Sequence, residues 1–168
     1  MNISSAHWHL LLNHFPIVLS ISGSGFLLFS FIFKKQHLQF AGLLLLIAAS
    51  AFAYPAFTTG EGAEESVEHL AGVNEAYIEK HEEVGEIGLK VMLGAGALAL
   101  ISLVVLSMKK KATNTFILIT LFAGLCTAGY MSYVGYTGGE IRHTEIQGDF
   151  GGKIQVKPTE QQGEHENE

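Results

Sequence analysis

Four stretches of about twenty residues without a single charged side chain fix what this chain can fold into. Residues 15–33, 38–60, 91–108 and 112–139 contain no Asp, Glu, Lys or Arg. A helix needs about 20 mostly apolar residues to cross a bilayer. Only helices and closed barrels satisfy their backbone polar groups in lipid. The sequence therefore predicts an all-α membrane protein, with spans at about 15–33, 38–58, 86–108 and 113–136. The connections 34–37 and 109–111 are so short that spans 1–2 and 3–4 must form two antiparallel hairpins. A longer loop joins the hairpins, and its residues 61–80 read as polar and partly helical. Residues 1–150 make one domain, and 151–168 read as a disordered polar tail carrying His165.

Charge orients the hairpins. Lys34 and Lys35 sit in one tight turn; Lys109, Lys110 and Lys111 sit in the other. All sixteen acidic residues lie in the long loop, the start of the third span or the region after the fourth. Basic residues in short loops face the cytoplasm. The expectation is a multi-pass protein of a bacterial inner membrane, embedded in lipid, with both termini extracytoplasmic. Residues 1–13 lack the basic segment of a signal peptide, so the first helix is expected to be retained. Pro16 suits the first turn of that helix, where its missing N–H costs little. The net charge of −6 argues against nucleic acid as a partner. The single Cys126 excludes an internal disulfide and a cysteine-based metal site, and reads as a small core residue.

Histidine is the candidate functional residue. Seven of the eight, all but His37, fall on the outer side of the membrane. At about 1.5 Å per helical residue, depth follows from distance to the inner lysines. His14 is 20 residues from Lys34 and His9 is 25; His81 is 28 from Lys109, and His143 is 32 from Lys111. These four form a layer at and above the outer boundary, with none at mid-bilayer. Imidazole is a common ligand for haem iron and transition metals. His9 and His14 are five residues apart, so on one continuous helix they would not share a face. Trp8 and the five tyrosines also cluster outside, as half of an interfacial belt or as a surface for a flat ligand.

Two further patterns concern packing. Residues 54–61 and 133–140 share Tyr-x-x-aromatic-Thr-x-Gly-Glu, at the outer end of the second helix of each hairpin. This suggests two related hairpins about a pseudo-two-fold axis. Glycines recur along the spans, among them Gly23, Gly25, Gly85, Gly88, Gly94, Gly96, Gly124, Gly129 and Gly135. Small residues let helices approach closely in lipid.

His9-x-x-x-x-His14-Phe15-Pro16 opening the first span, His81-Glu82 before the third, and Gly138-Gly139 closing the fourth form a recognisable set. The chain resembles a bacterial family of four-helix membrane proteins of uncharacterised function, over about residues 7–145. His9, His14, Pro16, His81, Gly138 and Gly139 match that family's pattern. The chain departs after Gly-Gly, where Glu140-Ile-Arg-His143 replaces a longer Leu-Val-Tyr-type ending, so the role of His143 stays open. Some members look fused to Rieske iron–sulfur domains, which implies electron transfer.

The leading expectation is a membrane redox protein carrying b-type haem. Two histidines such as His14 and His81 would ligate the iron, with His9 and His143 as a second pair or as supporting groups. Arg142, Lys80 or Lys90 would neutralise propionates, and Tyr130 or Tyr133 would pack on the ring. No Cys-x-x-Cys-His occurs, so attachment would be non-covalent. An iron–sulfur protein or a cytochrome would be the redox partner. One alternative is a haem-free zinc or copper site on His9, His14, His81 and His143, with Glu82, Glu83 or Glu140. The other is a structural subunit of a membrane complex. No His-Glu-x-x-His, Walker or Gly-x-Ser-x-Gly motif supports a hydrolase.

Overall fold

A computed structural model describes residues 4–70, 73–143 and 146–147. Six helices follow one another: α1 Ser5–Leu12, α2 His14–Phe33, α3 Gln36–Thr58, α4 Gly60–Val67, α5 Glu75–Ser107 and α6 Thr113–Glu140. No strand occurs among the described residues. Helices α2, α3, α5 and α6 form a closed circuit in which α2 packs on α3, α3 on α5, α5 on α6, and α6 on α2. This is a four-helix bundle of two antiparallel hairpins, and all four helices lie within segments long and apolar enough to cross a membrane.

Both tight turns lie at one end, the lysine end. Helices α2 and α5 each stop with a lysine in the left-handed conformation, Lys34 at φ 52° and Lys109 at φ 50°. Glycine is the usual residue there, because it has no Cβ to clash. At the other end the helices overshoot the bilayer. Thirty-three residues make α5 about 50 Å long, against a hydrocarbon core of about 30 Å. Its first turns therefore stand clear of the apolar window. They begin at Glu75, well before residue 86, because Asn74 caps them by accepting from the Ala76 N–H at 3.0 Å. Helix α4 continues α3 past a break at Thr59, so the long loop is largely helical, as expected. Helix α1 leads into α2 through Asn13, which keeps helical angles, and packs beside α4 and the end of α3.

The interior is finely packed and partly polar. Leu27, Leu43, Leu46, Ala99, Leu106, Ile117 and Leu121 fill the half nearer the lysines. Ala49, Ala53, Met92 and Met131 fill the other half. Ser102 and Thr120 hydrogen-bond within the core at 2.6 Å. Many large apolar residues also point outward; Phe122 is 71% exposed. An apolar exterior, with small residues where helices cross, is what lipid as solvent demands.

The glycines divide by role. A Cβ on Gly42 would lie 2.8 Å from the Gly23 carbonyl oxygen, so α2 and α3 touch backbone to backbone there. One on Gly124 would lie 2.6 Å from Ser24 Oγ, where α6 meets α2, and one on Gly96 would overlap Ser50, where α5 meets α3. Gly25, Gly85, Gly94 and Gly129 have open space beside them and serve no such crossing.

One expectation needs correction. Cys126 is exposed on the bundle's outer surface, not in the core. An apolar run in lipid has no solvent-facing side to mark, so the sequence gives no sign of which face turns in. Tyr77 lies at the outer end of α5, as expected, and is buried there at 2% exposure. The tail 151–168 with His165 lies outside the described residues.

Candidate functional site

The end opposite the lysines gathers α1, α4, the start of α5 and the end of α6. Two histidines meet there. His9 comes from α1 and His81 from α5, and their ring centres stand 6.3 Å apart, edge to face. Each is half-buried and held from behind. His9 Nδ1 lies 2.9 Å from the Ala56 carbonyl oxygen. A carbonyl only accepts, so this nitrogen carries the proton and donates. Thr59 Oγ1 lies 3.4 Å from the same nitrogen and points its proton between the Pro55 and Ala56 carbonyl oxygens, at 2.9 and 3.0 Å. His81 Nδ1 lies 2.9 Å from Thr137 Oγ1. That hydroxyl gives its one proton to the Val134 carbonyl at 2.8 Å, so it accepts from the ring. By this assignment both rings are Nδ1–H tautomers, with the Nε2 lone pair left over.

The two half-sites repeat each other. Ala56, Thr59 and Gly60 stand to His9 much as Val134, Thr137 and Gly138 stand to His81. In both, a threonine hydroxyl caps the carbonyl three residues back, and a glycine follows beside the imidazole. A Cβ on Gly138 would fall 3.0 Å from His81 Cε1, while one on Gly60 would fall 3.7 Å from His9 Cε1. The contacts thus align residue 59 with 137. The sequence match aligns Thr58 with Thr137, one residue off. Side-chain identity favoured one register, and the helix faces that meet the imidazoles use the next.

An ion pair locks the same corner. Lys80 Nζ lies 2.6 Å from Glu140 Oε2, joining the start of α5 to the end of α6. The ammonium also stands 6.0 Å from the centre of the buried Tyr77 ring. Gln147 Nε2 donates to the Glu140 carbonyl at 2.7 Å. The pair sits beside His81 in sequence and one turn beyond Thr137, so it fixes the approach of these two.

The other expected site residues lie elsewhere. His14 is exposed at the start of α2, with Nδ1 3.2 Å from the Leu10 carbonyl oxygen. Asn13, between α1 and α2, keeps helical backbone angles (φ −62°, ψ −24°), so the five-residue spacing sets His9 and His14 on different faces; His9 turns inward and His14 stays on the surface. His143 and Arg142 are exposed just past α6. Lys90 pairs with Glu86 at 2.6 Å on an exposed face, as their four-residue spacing predicts. Tyr130 and Tyr133 stack edge to face with each other, 6.3 Å between centres. His69 faces water beside Glu68. Among the described residues, no three His, Cys, Asp or Glu side chains are grouped closely enough to hold a metal ion.

Sequence reasoning missed Thr59, Thr137 and the carbonyls behind the rings. The one available signal was the threonine in the repeated motif, which falls where a helix end meets a histidine. Compared with family models, with curated proteins and with solved structures, the chain has no match.

Proposed function

We propose that this is a membrane redox protein that holds a b-type haem between His9 and His81, on the extracytoplasmic side, and passes electrons through it. The observation that carries the reading is the paired imidazoles with anchored Nδ1–H groups. Metal-ligating histidines typically donate their other ring N–H to a carbonyl or similar acceptor, which sets the tautomer and ring orientation. Both rings here meet that condition. Two imidazoles on one ion, with metal–nitrogen bonds of about 2 Å, would have ring centres roughly 5–6.4 Å apart, depending on the angle between them. The observed 6.3 Å is close to that spacing.

The number of ligands favours haem over a bare ion. A zinc site needs about four donors, at least three of them from the protein. Only two histidines converge here, and no third donor joins them among the described residues. A porphyrin would bring its own nitrogen donors, so His9 and His81 would suffice to hold it. Bound haem would supply the one-electron chemistry. The protein's part is to fix the two rings, through Ala56, Thr59 and Thr137, and to brace the corner through Lys80 and Glu140. Arg142 is the cation left for a propionate, since Lys80 and Lys90 already face carboxylates. The resemblance to a family with Rieske-fused members supports an iron–sulfur protein or cytochrome as the partner.

The test is the absorption spectrum of protein purified after haem-replete expression, oxidised and then reduced with dithionite. A Soret band with sharp reduced α and β bands is expected, lost in His9→Ala and in His81→Ala and kept in His14→Ala. A featureless visible spectrum sinks the proposal.

A further inference from the structure

The lysine end holds a second site that the histidine chemistry does not use. A cleft of about 600 Å³ opens there between the two hairpin turns. Lys34 lines it from one turn, Lys109 and Lys110 from the other, and Gln36, Gln39 and Asn114 supply amides. We propose that this cleft binds a phosphate group, with the headgroup of an anionic phospholipid as the source its depth favours.

Four observations bear on this. First, the cleft has no counter-charge of its own: residues 1–60 and 87–139 contain no Asp or Glu. Every charged side chain lining the cleft is a cation.

Second, the lysines occupy positions where glycine is the easier residue. Lys34 and Lys109 both adopt the left-handed conformation, at φ 52° and 50°. A bulky L-residue is strained there. The same strained choice at both turns of a repeated hairpin places an ammonium on each wall. Strain held at equivalent places is a pointer to function.

Third, the cleft receives two helix starts. Helix α3 begins at Gln36 and α6 at Thr113, and neither has a side-chain cap. The Thr113 N–H donates to the Lys110 carbonyl and the Leu38 N–H to the Lys35 carbonyl, both at 3.1 Å; what the two starts bring to the cleft is the positive end of a helix dipole each. With the side-chain amides and ammonium groups they make a setting that favours phosphate oxygens.

Fourth, the site lies where the apolar spans end. Gln36 and Thr113 open the apolar runs of α3 and α6. A lipid phosphate sits at that depth, and basic pockets between spans are the known form of anionic-headgroup recognition. Free phosphate offers the same chemistry, so the experiment must separate the two sources.

The experiment uses the full chain in detergent micelles and native mass spectrometry. Three probes are compared: phosphatidylglycerol, phosphatidylcholine and inorganic phosphate. The variant is Lys34→Gly/Lys109→Gly, which removes two cations and relieves the left-handed strain, so loss of binding cannot be blamed on a weakened fold. Lys35, Lys110 and Lys111 remain to hold the orientation. Lys90→Gln, at the far end, is the control. One phosphatidylglycerol per chain should be retained at least ten-fold more tightly than phosphatidylcholine. The double variant should lose that preference, and the control should keep it. Competition by millimolar inorganic phosphate would support the site with the free anion as its ligand; its failure to compete would support the lipid. Equal retention of both lipids with no phosphate binding overturns the proposal, as does a double variant that behaves like the parent.

Discussion

Replacing Lys80 by methionine should destabilise the bundle by about 3 kcal/mol. The Glu140 side chain is 3% exposed and that of Lys80 is 22%, with 2.6 Å between ammonium and carboxylate. Removing one partner of a buried pair costs about 3–5 kcal/mol, since the other charge is left without compensation. The low end applies, because Lys80 keeps some contact with water. Glu140→Gln removes the charge, keeps an acceptor for the ammonium and should cost nearer 1–2 kcal/mol. The double variant Lys80→Met/Glu140→Gln has no orphan charge. It should be about as stable as Glu140→Gln alone, well short of additivity. The assay is reversible unfolding by SDS in mixed micelles, followed by the helical circular dichroism signal. A loss of 3 kcal/mol is about a hundred-fold change in the unfolding equilibrium. Lys80→Met within 0.5 kcal/mol of the parent, or strict additivity in the double variant, would refute the argument that this pair braces the histidine corner.

Other perturbations follow from single distances. Gly138→Val places branched carbons where a Cβ alone would be 3.0 Å from His81 Cε1; it should displace that ring and, in haem-loaded protein, shift or abolish the Soret band, while Gly129→Val should not. Gly42→Val drives side-chain atoms against the Gly23 carbonyl, which cannot move aside, and should cost about 3 kcal/mol or prevent folding; Gly25→Val, in open space, should leave the unfolding midpoint in SDS nearly unchanged. Lys34→Gly should raise stability by about 1 kcal/mol by relieving the left-handed strain, measured in detergent free of anionic lipid; a loss of stability would count against that reading.

Much of the fold was legible in the chain because lipid imposes a simple rule. Twenty apolar residues in a row have one use, and turns of three or four residues permit only antiparallel neighbours. The spans, the hairpins and the shared location of the lysines follow from these constraints, and the structure agrees with each. The interior faces were less legible. Apolar residues serve both the core and the lipid side, so no periodicity marks which face turns in. Cys126 was misplaced for that reason. Only the three-dimensional approach of α2 to α3 separates Gly23, which a crossing needs, from Gly25, which it does not.

The candidate site shows the same division. Composition and spacing put His9, His14, His81 and His143 in one layer, because depth along a helix is a linear function of residue number. Which of them meet depends on rotation about each helix axis. That rotation turns His9 toward His81 of α5 and leaves His14, five residues on, exposed. Likewise the repeat was visible as letters, but its working register, with Thr59 matched to Thr137, is set by which oxygen each imidazole reaches, the Ala56 carbonyl for His9 and the Thr137 hydroxyl for His81. Sequence determined depth, sidedness of charge and helix count, which are one-dimensional quantities. Tertiary structure decided partners, because contact between helices depends on azimuth, and a uniformly apolar span does not encode azimuth in its pattern.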